Sequence, residues 1–224
     1  MDALPDNHLT LVHPMEETRN PFEPRSDSRT PTAARQAIAQ SVVTRESSRA
    51  TRLHRTLETL LSLTQFNPPA TTAALDQLLA TILDALLLAT EAPKGNLQLF
   101  DPVVQALRIR AQRGFSPAFL EFFDQVHEGS AACGTAFAKG QPEVVDDVAT
   151  SPLFSPSARQ ALLDDGVQAV QSLALVTSVG KLGVVSVHYT SPGIPAHKRE
   201  AFANAAPLIA RLVEAGLRGT RNQW

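Results

Sequence analysis

The chain has 224 residues, of which 43% are hydrophobic and 19% charged, and Lys+Arg 20 against Asp+Glu 22 leaves a net charge of −2. That length predicts one full domain with extensions, or two small domains, and the near-neutral balance supplies no basic face for nucleic acid. A single cysteine excludes a disulfide framework and a cysteine zinc cage. No apolar run approaches the roughly 20 residues of a membrane span, and the first residues lack the basic start and apolar stretch of a secretory signal, so the expectation is a cytoplasmic protein.

Residues 1–30 carry Pro5, Pro14, Pro21 and Pro24 among Asn, Ser, Thr and paired acids. Such a segment buries too little apolar surface to offset its chain entropy and is expected to be a disordered tail. Residues 31–69 read as a helical segment in which Ile38, Val42, Leu53, Leu57, Leu60 and Leu61 recur mostly at helical spacing. Its apolar stripe thins around Glu46-Ser47-Ser48. A thin stripe fits a helix packed on one surface: either a second copy of the chain or the segment's own domain. Asn67-Pro68-Pro69 ends it.

Thr71-Thr72 caps the next helix, whose broad leucine face from Leu75 to Leu87 marks it as a core element ending near Thr90. Two alternating stretches follow, Gly95 to Phe100 and Val104 to Gln112, turned by Asp101-Pro102 into a hairpin. Ser116-Pro117 opens a short aromatic helix. Ala131 to Ala138 reads as another, closed by Gly140. Glu143-Val144-Val145 is a short strand, and Ser155-Pro156-Ser157 opens a helix through Leu163. Gln168 to Ser178 and Lys181 to Thr190 form a second hairpin. A last helix after Pro195 carries Phe202, Ala205, Ile209, Leu212, Val213 and Leu217. The order predicts an α+β fold: a central, mostly antiparallel sheet of five to six strands flanked by helices, with an N-terminal helical extension.

These pieces, in this order, resemble the GAF domain family. Gly95 to Asp101, Leu107-Arg108-Ile109 and Ala111 to Phe115 look like its first hairpin. Ala132-Cys133-Gly134-Thr135-Ala136 and Val144 to Val148 are similar to the middle of GAF domains attached to bacterial sensor kinases. Val167 to Ser172 and Gly183 to His188 resemble the last two core strands. The match covers residues 70–219, leaving 220–224 as a tail. The resemblance implies a PAS-like fold with a small-molecule pocket on one sheet face. It also implies terminal helices on the other face, which form a homodimer and signal to a kinase or other output protein. No output domain follows residue 219, so the expected chain is a free-standing module or a piece of a longer protein.

No nucleophile–base pair, metal spacing or phosphate loop is found, so no enzyme is expected. Cys133 is either a thiolate at a helix start or a small buried apolar residue. GAF domains that reduce free methionine sulfoxide use several cysteines, and bilin-binding ones often place His beside the attachment Cys; here Gly134 follows Cys133. His188 lies in a strand, as a haem ligand or as a satisfied polar residue. Asp146-Asp147 points to opposite sides and reads as a solvated loop. The cofactor is left unknown. The aromatic set is skewed to Phe, and Phe115, Phe119, Phe122, Phe123, Phe137 and Phe154 fall in segments that wrap the sheet face in the resembled family. They would line a ligand pocket or fill the core themselves. The nominated pocket is Phe115, Phe119, Phe122, Cys133, Phe137, Gln171, Ser172 and His188. The expected function is a sensing module for a small molecule or partner protein. The alternatives are a haem, bilin or redox sensor and a degenerate interaction scaffold.

Overall fold

The structure is a computed structural model that describes residues 31–221; the tail expected over residues 1–30 lies outside the described residues. The chain divides after Ser41 into two units. Of the first unit, the described part is the opening of helix α1 (Pro31–Phe66), where the Ser41 hydroxyl donates to the Ile38 carbonyl at 2.8 Å. The second unit runs from Val42 and holds every other element.

That unit is organised by one six-stranded sheet. Its strands are β1 (Lys94–Asp101), β2 (Ala106–Arg113), β3 (Gln125–Val126), β4 (Glu143–Val145), β5 (Ala169–Thr177) and β6 (Gly180–Tyr189). The order across the sheet is β3-β2-β1-β6-β5-β4, and every neighbouring pair is antiparallel. Two hairpins, β1–β2 and β5–β6, therefore meet at the β1–β6 seam. At that seam the backbones come close. A Cβ on Gly183 would lie 2.0 Å from the Gln98 carbonyl oxygen, so only glycine fits there.

Side-chain alternation gives the sheet two buried faces. Leu97, Leu99, Leu173, Leu175, Val185 and Val187 face α2 (Thr72–Thr90) and α6 (Ala196–Arg221), together with Leu79, Ile82, Leu83, Leu86, Phe202, Ile209 and Leu212. The opposite face is covered by α3 (Pro117–Phe122), α4 (Ala131–Lys139) and α5 (Pro156–Asp164). There Phe115, Phe119, Phe123, Phe137, Phe154 and Leu162 pack with Val170 and Val184. The caps are those the residue types favour. The Thr71, Ser116 and Ser155 side chains accept from Ala74, Phe119 and Ala158 backbone N–H groups, and Gly140 ends α4 with φ 64°.

The structure departs from expectation at β3 and α2 and narrows it at α1. The two-residue strand β3 is new. Helix α6 runs through Arg221, and residues 222–224 of the expected tail lie outside the described residues. Helix α1 lies on its own domain over Leu53, Leu57 and Leu61, which are buried, while Val43, Leu63 and Phe66 are exposed. Helix α2, 19 residues long, is apolar enough by length and composition to cross a membrane, contrary to the sequence reading. In this fold its buried face, Leu75, Leu79, Ile82, Leu83 and Leu86, packs in the core.

Candidate functional site

On the α3–α5 face a small cavity of about 20 Å³ opens between the sheet and its cover. Its floor is polar. Asn96 and Gln98 from β1, Ser172 from β5, and Ser186 and His188 from β6 all line it. Its cover is apolar: Phe119, Phe123, Ala131, Ala132, Cys133, Phe154 and Leu162. The volume has room for about one water. The rings account for the smallness. Phe115 stacks on Phe119 at 4.0 Å between centroids, Phe119 meets Phe123 at 4.6 Å, and Phe115 stands edge-on to His188 at 4.9 Å.

The polar floor is poorly satisfied. Neither side-chain atom of Gln98, which is wholly buried, makes a hydrogen bond among the described residues, and the same holds for Asn96 Oδ1 and His188 Nδ1. Only the Ser172 and Ser186 hydroxyls pair with each other, at 2.8 Å. Buried polar atoms without partners cost stability and are uncommon, and four of them meet in this one cavity.

No formal charge lines this cavity. Burial pushes His188 down from 6.5 to about 3; the nearby Asp165 carboxylate opposes that shift and Lys94 adds to it. The imidazole is neutral at physiological pH. Burial pushes the Cys133 thiol up to about 11, and the Gly134 and Cys133 backbone N–H groups and the neighbouring Gln98 amide only partly offset this. Cys133 therefore stands in the wall as a protonated thiol at neutral pH. Ala131, where α4 begins, has a φ of 53°, a left-handed conformation that strains a residue with a Cβ.

An ion pair closes one end of the cover. Lys94 Nζ donates to both a side-chain and the backbone oxygen of Asp165 at 2.6 Å, and Asp165 accepts from the Ser116 N–H at 3.0 Å. Burial raises the Asp165 carboxyl, but the bonds from Lys94 and Ser116 outweigh it and hold it below the ordinary carboxylate value. The start of β1, the N-cap of α3 and the end of α5 are thereby tied at one carboxylate.

Of the nominated pocket residues, the fold brings Phe119, Cys133, Ser172 and His188 to the cavity wall. Phe115 stands behind Phe119. Phe122 is 45% exposed and stands edge-on to Phe123 at 4.8 Å, away from the cavity wall. Phe137 packs elsewhere, stacked on Phe100 at 4.9 Å with Lys181 over its ring. Gln171 is a correction. It faces the α2–α6 side, where its Nε2 donates to the Arg199 carbonyl at 3.2 Å. His188, expected as a satisfied polar residue, is instead a buried one with a bare Nδ1. Asp146 and Asp147 diverge as expected: Asp146 accepts from Arg199 at 2.6 Å, and Asp147 caps its own turn through Ala149 and Thr150.

Sequence reasoning did not nominate Asn96, Gln98 and Ser186 as pocket residues. Polar residues at every second position of central strands, on a face that a second core must cover, were the available signal.

A larger groove of about 250 Å³ lies among α1, the end of α2 and α6. Most of its charged groups are paired: Glu91 binds Arg49 and Lys198, and His197 meets Glu46 at 2.9 Å. It is a helix junction. No cluster of three or more His, Cys, Asp or Glu able to hold a metal occurs among the described residues.

The family model of the GAF domain matches residues 74–213. The chain belongs to the GAF domain family. Solved structures agree on the fold. A GAF sensor protein from Burkholderia vietnamiensis is 20% identical, with a TM-score of 0.58 over 79% of this chain and 98% of that one. The GAF domain of a phosphoenolpyruvate-protein phosphotransferase from Coxiella burnetii is 16% identical, with a TM-score of 0.59 over 76% and 98%. Free methionine-R-sulfoxide reductase from Neisseria meningitidis, solved with its substrate, is 17% identical, with a TM-score of 0.58 over 76% and 93%. A search of curated proteins gives no significant match. Family membership makes this a sensory, regulatory type of module.

Proposed function

We propose that this GAF domain senses a small molecule in the cavity beneath α3–α5 and passes the result, as a homodimer, through α1, α2 and α6 to a kinase or other output protein in the cytoplasm. The observation that carries this reading is the set of unpartnered atoms on Asn96, Gln98 and His188 in one cavity. Burial, which keeps the Cys133 thiol protonated, argues for sensing over thiolate chemistry. Ligand entry requires α3 to move outward with Phe119 and Phe123, since the closed cavity holds about one water.

Thermal shift across a metabolite panel tests the reading. A ligand at a hundred times its Kd stabilises by about 2.7 kcal/mol, and a Ser186→Leu variant, which fills the floor, abolishes the shift. A panel without a single Ser186-dependent shift overturns it. That outcome is the one expected of the competing reading, a degenerate scaffold whose rings fill its own pocket, which the tight Phe115–Phe119–Phe123 stack favours.

A further inference from the structure

We propose that the cavity's ligand is a small uncharged molecule carrying a cis-amide edge, an N–H donor beside a carbonyl acceptor, as in a lactam, an imide or a pyrimidine base. The inference rests on the sensing reading and narrows it to one chemistry.

The first support is Gln98. A carboxamide offers an acceptor and a donor side by side, and its natural complement is a second amide edge, which closes two parallel hydrogen bonds. Gln98 is fully buried in β1, and both its Oε1 and its Nε2 lack partners among the described residues. A ligand with only acceptors, or only donors, would leave one of these atoms bare, at the cost that such atoms carry inside a protein. The remaining floor continues the pattern. Asn96 Oδ1 is a free acceptor, His188 Nδ1 is bare, and the Ser172–Ser186 hydroxyl pair can turn to give or take a further bond.

The second support is electrostatic. No Lys, Arg, Asp or Glu lines the cavity. The nearest ionic pair, Lys94 with Asp165, is closed on itself at 2.6 Å. A carboxylate, phosphate or ammonium bound here would be a buried charge without a counter-ion, which is far costlier than an unpaired amide. Nucleotides, keto acids and zwitterionic amino acids are disfavoured on that ground. The third support is shape. The cover opposite the floor is aromatic, with Phe119, Phe123 and Phe154 in its wall, which favours an unsaturated ring over a bulky aliphatic one.

Calorimetric or saturation-transfer titration of the full chain with uracil and 2-pyrrolidinone tests this. The controls are 1,3-dimethyluracil and N-methyl-2-pyrrolidinone, which lack the donor, and orotate, which adds a carboxylate to the uracil ring. At least one amide probe is expected to bind at least about tenfold tighter than its N-methylated partner, and uracil tighter than orotate. Gln98→Leu should weaken the amide probe by a similar factor while circular dichroism stays native. The comparison among probes on the unaltered protein stands even where that variant fails to fold. Equal binding of the N-methylated probes, or preference for orotate, overturns the amide edge. Silence of every probe here, with a charged compound from the metabolite panel giving a Ser186-dependent shift, overturns this inference and leaves the sensing reading standing. Silence in both experiments overturns both.

Discussion

His188 carries the pH dependence of the cavity. Its ordinary value is 6.5 and burial lowers it to about 3 in the folded chain. Above 6.5 both folded and unfolded states hold a neutral ring, and the group contributes no slope. As pH falls from 6.5 towards 3 the unfolded chain takes up a proton that the folded one refuses, so stability drops by up to about 1.4 kcal/mol per pH unit. Urea midpoints at pH 7.5, 6.5 and 5.5 should show the wild type losing about 1 kcal/mol more than His188→Asn between the last two. Equal slopes would place His188 in contact with solvent. Gln98 makes the complementary case. Gln98→Leu removes two unpartnered buried atoms and should raise stability by about 1–3 kcal/mol in the same assay. A loss of stability would mean that Gln98 is satisfied in solution. At this scale the sequence was only half legible. Ser172, His188, Phe119 and Cys133 were within reach because their segments were placed correctly. Gln171 was not, because one residue of parity decides which face of β5 a side chain meets, and both faces here are buried.

Among the elements, legibility followed length. The leucine face of α2 and the alternation in β1, β5 and β6 persist long enough to declare their periods, and those elements stand within a residue or two of expectation. Strand β3 has only Gln125 and Val126, too few for any period, and forms because β2 offers it an edge at Leu107 and Arg108. Helix α1 left two readings open, and Leu57, fully buried in the α2–α6 core, shows it packing on its own domain. Leu57→Ala should therefore cost about 2–5 kcal/mol in urea unfolding, and a value below about 0.5 kcal/mol would make α1 a detachable extension. The β1–β6 seam is equally sensitive. Gly183→Ala drives a methyl into the Gln98 carbonyl and should cost at least about 2 kcal/mol, because backbone, not a flexible side chain, stands in its way.

For the molecule as a whole, one sheet separates a helix-packed core from a ring-packed core. The proposed homodimer belongs to the first side. Val43, Leu63, Phe66 and Leu88 remain exposed on α1 and α2 there and would supply the apolar part of such a contact. Sedimentation equilibrium of the full chain should give a dimer at tens of micromolar, and a monomer at that concentration removes dimeric transmission from the proposed function.

The alternation of the three central strands has a practical consequence for genetics. In β1, β5 and β6 the even-numbered residues Asn96, Gln98, Val170, Ser172, Val184, Ser186 and His188 lie on the cavity side. The odd-numbered Leu97, Leu99, Leu173, Leu175, Val185, Val187 and Tyr189 lie on the helix side. Saturation mutagenesis scored for abundance and, separately, for signalling should split these strands by parity. Odd positions lose abundance with almost any polar replacement. At even positions such as 96, 98 and 188, apolar replacements keep or raise abundance while signalling is lost.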